Sequence, residues 1–252
     1  MAGHSKWANI KRKKAGVDAA RSKVFSRIIR ELTIAARDGG GDPTGNPRLA
    51  LAIANAKANN MPKDNIERAI KKGTGELGTG ETYEEVIYEG YGPGGVAYIV
   101  EASTNNATRT VGEVRHAFSR FGGNLGTSGS VSYMFDQKGI ISVVAERMDH
   151  DELMLLAIDA GAEDINDDDP AMLEVSTRRE DLFAVRKHLE EAGYDIRNTE
   201  LQWIAKTEVS PDSDALVSNF KIMSYLEDND DVGNVFNNIK MDEHAVSIAE
   251  NM

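Results

Sequence analysis

Between Asp18 and Asp38 the apolar residues are Val24, Phe25, Ile28, Ile29, Leu32, Ala35 and Ala36. At 100° per residue they fill one arc of about 140°, which predicts an amphipathic helix. Gly39-Gly40-Gly41 and Asp42-Pro43 end it. A second helix starts at Pro47 with Asn46 as its cap, because proline suits the first helical position, and carries Leu49, Ile53 and Ala56. A third starts at Pro62, carries Ile66, Ala69 and Ile70, and ends on Lys71-Lys72, cations that complement the helix dipole. The three predict one small bundle. The glycine-rich stretch Gly73–Gly80 (GTGELGTG) reads as a linker.

Beyond it the period changes from 3.6 to 2. Tyr83–Glu89 and Val96–Ser103 read as strands joined by the turn GYGPGG, and Asn106–Phe121 as a helix with Val111, Val114, Ala117, Phe118 and Phe121 on its apolar face. A strand is expected at Val131–Phe135 and another at Gly139–Ala145, followed by a helix at 149–160, strands near 163–166 and 172–176, a helix at 179–192 and a strand at 198–205. From Gly139 onward that order is βαββαβ, the ferredoxin-like arrangement. A helix near 213–227 and a strand near 232–238 complete the earlier ββαβ pieces. The expected fold is therefore α+β: an N-terminal three-helix head followed by two ferredoxin-like α/β domains, the third inserted in the second. The boundaries are 1–80 for head and linker, 81–137 with 207–245 for the middle domain, and 138–206 for the insertion.

Charge changes this picture from architecture to partner. Residues 1–72 hold 16 Lys/Arg against 6 Asp/Glu, a balance of +10, and residues 73–252 hold 13 against 35, a balance of −22. A basic segment attracts polyphosphate by displacing condensed counterions, largely regardless of base sequence, and an acidic body is repelled by it. Contact with a nucleic acid is expected on the head alone. The 252 residues contain no Cys, which excludes disulfides, thiolate metal sites and a Cys nucleophile. No stretch approaches the ~18 apolar residues that span a bilayer, and the basic N-terminus lacks the apolar core of a secretory signal. A soluble cytoplasmic protein is expected.

Lys23, Arg27, Arg30 and Arg37 fall within about 80° of one another, opposite the apolar arc of the first helix. With Lys6, Lys11, Arg12, Lys13 and Lys14 they form a basic ridge suited to phosphates. A merely solvated face is the competing reading, weakened by the scarcity of acids in the head. Trp7, among these bases, is expected to pack rather than to stack on a base. In the helix at 106–121, Arg109, His116 and Arg120 line up opposite the apolar arc with Arg115 to one side and Glu113 between them. A local salt-bridge stripe and a secondary RNA contact both fit. GYGPGG lacks the Lys-Ser/Thr of a phosphate loop and is read as a hairpin turn. The acidic run 164–169 puts Asp169 where a calcium loop needs Gly. Gly126-Thr127-Ser128-Gly129-Ser130 misses the nucleophile elbow, and His150-Asp151-Glu152 is not continued to a second His. Neither a cofactor nor a metal is expected, and an enzyme using Arg109, His116 and Arg120 on substrate phosphates is the minor alternative.

The strings GHSKWANIKRKK, KVFSRIIRELTIAAR, NPRLALAIANAKANNMPKDNIERAIKKG, YEGYGPGGVAYIVE and TNNATRTVGEVRHAFSRFGGNLGTSGSVSYMF cover most of residues 3–135. Together they resemble the YebC/PmpR family, which includes the mitochondrial translational activator of cytochrome oxidase. The resemblance implies a helical head and two α/β domains, the third inserted in the second. It also implies one of two roles: a DNA-binding transcriptional regulator, as family members are commonly described, or a ribosome-associated factor that acts on translation through ribosomal RNA or tRNA. The charge split fits both, and the absence of a known base-reading module leans toward structured RNA.

Overall fold

A computed structural model of the chain describes residues 6, 7, 10, 11, 17–78, 83–145, 149–169 and 171–252, with the backbone alone at 17–21 and 168. The fold is α+β, with eight α-helices and two four-stranded antiparallel sheets among the described residues. The chain divides into two compact units, one drawn from residues up to 24, 81–136 and 203–252, the other from 25–80 and 137–202.

The first unit is built on a hairpin of β1 (Glu84–Gly92) and β2 (Val96–Thr104), paired in register from Glu84 with Thr104 to Gly92 with Val96. The GYGPGG turn is a single 3₁₀ turn at Pro93–Gly95, with Gly94 at φ +74° and Gly95 at φ +76°, a region where a Cβ would be strained. The two-residue β3 (Asn124–Leu125) pairs with β1, and β8 (Val232–Asn237) pairs with β2, so the hairpin is central. Consecutive residues of β2 feed two cores, as a strand buried on both faces must. Tyr98, Val100 and Ala102 pack with helices α4 (Ala107–Arg120), α7 (Ser213–Glu227) and α8 (Glu243–Asn251), whereas Ala97 and Ile99 pack with Val131, Phe135, Phe236 and Trp203. Asn219 on α7, fully buried, ties helix to hairpin: its amide donates to the Pro93 carbonyl at 2.8 Å and its oxygen accepts from the Tyr98 hydroxyl at 2.9 Å.

The second unit contains the helical bundle. Helices α1 (Val17–Gly39, which begins in the first unit), α2 (Pro47–Ala58) and α3 (Lys63–Gly73) close around Ile28, Leu32, Leu49, Ala52, Ala56 and Ile66. Asn46 caps α2 as the sequence predicts, accepting from the Leu49 amide at 3.0 Å. The expected linker begins later than its composition suggests. Gly73 is the last residue of α3, and a side-chain carbon there would collide with the Thr33 carbonyl oxygen. The rest of the unit is β4 (Phe135–Val144), α5 (His150–Asp159), β5 (Asp164–Asp169), β6 (Met172–Arg178), α6 (Leu182–Glu191) and β7 (Ile196–Ala205), in the sheet order β5-β6-β4-β7. That is the ferredoxin-like order. Asn55 of α2 binds the Thr199 backbone of β7 in both directions, at 2.7 and 3.2 Å, which seats the bundle on the edge strand of this sheet.

The strand expected at Val131–Phe135 is instead a 3₁₀ turn at Ser132–Met134 leading into β4, which absorbs the strand expected at Gly139–Ala145. The physical reason is Glu89. Its carboxylate is 5% exposed and accepts from the amides of Gly129 (2.7 Å), Val131 (2.7 Å) and Ser132 (2.8 Å), so two of those donors cannot join a ladder. β3 and α8 are absent from the sequence reading; β3 is only two residues long, too short for any period to show.

Burial disfavours the charged form of Glu89, but the three amides outweigh it and hold the carboxyl below its usual range. A lowered native pKa gives stability that is present above the unfolded pKa and lost as pH falls through the native value. Glu89→Ala, which leaves three amides without their acceptor, is expected to destabilise the protein by about 1–3 kcal/mol in urea denaturation at neutral pH. The difference from wild type should shrink as pH drops below about 4; an unchanged difference would refute this role of the carboxylate.

Candidate nucleic-acid interface

The basic ridge meets acids supplied from far along the chain. In the first unit α7 ends on Glu227 with Asp228 as its C-cap, two carboxylates at the pole where the helix dipole is already negative. Lys11 Nζ lies 2.7 Å from Glu227 and 3.5 Å from Asp228, and Lys23 Nζ lies 3.0 Å from Asp228. Partial burial works against ionisation of Asp228, but the hydrogen bond from Lys23 and the charges of Lys11 and Lys23 prevail and hold its carboxyl below the usual range. Trp7 packs, as expected: it is 4% exposed and stacks on Phe220 with centroids 5.0 Å apart and planes 7° from parallel. Its indole N–H donates to Glu227 at 2.9 Å. This ring is not available to a base.

In the second unit Arg27 pairs with Glu200 of β7 at 2.8 Å and Arg37 with its neighbour Asp38 at 2.7 Å. Ile34, on the same side of α1 as these cations, is 1% exposed, so the ridge is not one continuous solvent face. Arg30 and Lys6 are half-buried. Arg12, Lys13 and Lys14 lie outside the described residues. Lys11, Lys23, Arg27 and Arg37 each keep 32–45% of their side-chain surface exposed. Exposed pairs of this kind contribute about 0–1 kcal/mol each, little enough for a competing phosphate to displace.

On α4 the line of Arg109, His116 and Arg120 splits by role. Arg109 reaches away from the others to Asp231, at 2.6 Å, and to Asn105 at 3.1 Å. Asp231 is buried and also accepts from Thr110 at 2.8 Å and Thr104 at 3.1 Å. Burial opposes its charge, but Arg109 and the two hydroxyls overcome that and lower its pKa. Glu113 accepts from the Asn229 amide at 2.6 Å, so no salt-bridge stripe with His116 and Arg120 forms. Arg120 instead lies over two rings, 5.4 Å from the Phe121 centroid and 5.6 Å from that of Tyr225 on α7. His116 meets Tyr225 edge-on at 5.9 Å. Among the described residues Arg115, Arg120 and Lys221 have no ion-pair partner. Phe121, Tyr225 and Lys221 line a cleft of about 370 Å³ that extends to Trp7, Lys11 and Asp228.

Sequence reasoning missed Tyr225 and Lys221. Their spacing of four residues puts them on one helix face, but the segment 213–227 reads as an apolar partner for the sheet, and nothing local shows that α4 lies beside it. Among the described residues no group of three or more His, Asp or Glu is arranged to hold a metal ion, and no helix is long and apolar enough to cross a membrane.

This sequence and this fold match known proteins over nearly the whole chain. Residues 5–76 match the model of the TACO1/YebC protein N-terminal domain, and residues 83–239 match that of the TACO1/YebC second and third domain. The chain belongs to the TACO1/YebC family. Relatives in this family include a probable transcriptional regulatory protein of Sulfurihydrogenibium sp. (strain YO3AOP1), 53% identical over 99% of this chain and 100% of the relative. Another, from Persephonella marina, carries the same name and is 52% identical over 98% of both chains. The solved structure of a conserved hypothetical protein, Aq1575 from Aquifex aeolicus, superposes with a TM-score of 0.84 at 47% identity, covering 90% of this chain and 93% of that one. At family level, these names make this TACO1/YebC member a regulatory protein.

Arg109 is expected to be structural and Arg115 not. Arg109→Ala removes the counter-ion of a buried carboxylate and should lower stability by about 1–2 kcal/mol, while Arg115→Ala should stay within about 0.5 kcal/mol of wild type. Equal denaturation midpoints for the two variants would contradict this division.

Proposed function

We propose that this TACO1/YebC protein is a cytoplasmic, non-enzymatic regulator of gene expression that acts by binding nucleic acid. The observation that carries this is the charge division, +10 over residues 1–72 against −22 over the remainder. Polyphosphate is the partner such a segment attracts. In this reading Lys6, Lys11, Arg12, Lys13, Lys14, Lys23, Arg27, Arg30 and Arg37 supply phosphate contacts, and the division into 1–80, 81–137 with 207–245, and 138–206 separates the binding head from the acidic body. The weak ion pairs of Lys11 and Lys23 with Glu227 and Asp228 act as an internal substitute that a phosphate chain replaces.

The names of the relatives point to duplex DNA and transcription. A second reading, a ribosome-associated translation factor that binds ribosomal RNA or tRNA, is supported by the chemistry of the cations. Reading a promoter needs side chains on base edges in the major groove, whereas Arg27 and Arg37 of α1 sit in ion pairs. A structured RNA presents its own shape and asks less base readout of the protein. Neither reading requires a cofactor.

The test is binding as a function of salt. Changing Lys11 and Lys23 to Glu should weaken binding of a mixed-sequence duplex or a tRNA, and should flatten the salt slope by about one unit per lost phosphate contact. Changing Glu227 to Gln and Asp228 to Asn, which keeps the acceptor for Trp7, should tighten binding by about three- to tenfold at low salt and less at high salt. Affinity and slope unchanged in both folded variants would overturn the assignment. A preference of about a thousandfold or more for one operator over shuffled duplex, with no ribosome association, would decide for transcription.

A further inference from the structure

We propose that the face formed by Arg120 and Phe121 with Tyr225 and Lys221 of α7 is a stacking site for an unpaired nucleotide of single-stranded nucleic acid. The inference rests on the nucleic-acid reading above and adds to it a second contact, on the acidic body, with a different ligand chemistry.

Three observations converge. The first is the aromatic surface. Tyr225 is 36% exposed, and its ring is one of three meeting here, 6.1 Å from Phe121 and 5.9 Å from His116. Part of this ring is open to solvent, and every nucleobase has a π-face that can stack on it. The second is the guanidinium. Arg120 lies over both Phe121 and Tyr225 with no carboxylate partner among the described residues, and a planar cation in that position both stacks on bases and meets phosphates. The third is the unneutralised charge. Residues 73–252 carry 35 Asp/Glu and only 13 Lys/Arg. Even so, Arg115, Arg120 and Lys221 find no acid within ion-pair distance among the described residues. In so acidic a body unpaired cations should capture carboxylates readily, as Arg109 and Lys206 do. Two of the three unpaired cations, Arg120 over the Tyr225 ring and Lys221 in the same cleft, give this face the composition of a single-strand platform.

The cleft supplies room. It measures about 370 Å³ and is lined by Phe121, Lys221 and Tyr225 together with Trp7, Lys11 and Asp228, within the lower range of small-ligand pockets at ~300–1,000 Å³. A base laid against Tyr225 would place its phosphates near Lys221 and Arg120. A base-paired nucleotide cannot do this, because its faces are covered by its neighbours in the stack. The site therefore selects unpaired over duplex nucleic acid, which the phosphate-binding head does not.

The experiment uses the full chain with a short single-stranded RNA, the DNA of the same sequence, and the corresponding duplex, each labelled for anisotropy. A 2-aminopurine in the single strands reports stacking. Tyr225→Ala should weaken single-strand binding by about five- to hundredfold and abolish quenching of the 2-aminopurine, whereas Tyr225→Phe should remain within about twofold of wild type. Lys221→Gln, at an exposed position that does not bear on folding, should weaken single-strand binding and flatten its salt slope by about one unit. Duplex affinity should stay unchanged in all three. A stronger effect on RNA than on DNA would identify RNA as the source of the nucleotide; equal effects would leave the stacking assignment in force for both. Single-strand affinity and quenching unchanged in Tyr225→Ala and Lys221→Gln, with duplex or tRNA binding intact, would overturn this site and leave the head's role standing. Absence of any nucleic-acid binding by the wild-type chain would overturn both.

Discussion

At the C-terminal pole of α7 two carboxylates meet two lysines and a tryptophan of the first unit. Helix carbonyls already make that end negative, and Glu227 and Asp228 add two carboxylates to it. Left alone, this concentration of like charge would be unfavourable. Lys11 and Lys23 neutralise it, and the Trp7 indole donates to Glu227 while its ring stacks on Phe220 of the same helix. One helix end thereby fixes where Trp7, Lys11 and Lys23 lie within their unit. The apolar half of the contact, a tryptophan 4% exposed, contributes more to stability than the exposed ion pairs do.

That arrangement redistributes the positive potential. Read as a sequence, cations crowd the first 72 residues and acids the remainder. In the fold, Lys11, Lys23, Arg27 and Arg37 are each within ion-pair distance of an acid. The unpaired cations of α4 and α7 lie in the nominally acidic body. Charge counted by residue range predicts which segment attracts a polyanion and which repels it, on a molecule whose net charge is −12. It does not locate the surface that finally holds a ligand, because that depends on which charges remain uncompensated at short range.

The legibility of this protein in its sequence follows the same division. The bundle was readable because its elements carry local punctuation: Asn46 before Pro47 caps α2 as expected, and the apolar arc from Val24 to Ala36 marks α1. The βαββαβ order was readable because strand and helix periods alternate cleanly from Gly139 to Ala205. What escaped was set by distant partners. Glu89 turns an apparent strand at 131–135 into a 3₁₀ turn by taking amides some 40 residues away. The acids opposite Lys11 and Lys23 are more than 200 residues removed in sequence. Tyr225 enters the candidate site only because α7 packs beside α4. Periodicity reports which face of an element is buried and is silent on what faces it. Arg109, His116 and Arg120 illustrate the limit, three residues alike by helical position and divided by their surroundings into a structural ion pair and an aromatic contact.

The central claim is that nucleic acid meets this protein at two chemically distinct places, the N-terminal basic segment and the Arg120–Tyr225 face. Photocrosslinking of the full chain to a uridine-rich RNA, followed by mass-spectrometric mapping of the modified peptides, tests it most directly. Crosslinks should concentrate in peptides from residues 1–37 and in those containing Phe121 or Tyr225, and should fade from the first set before the second as salt is raised, since stacking is less salt-dependent than phosphate contact. Crosslinks confined to the βαββαβ segment of residues 138–202, with neither set modified, would contradict it.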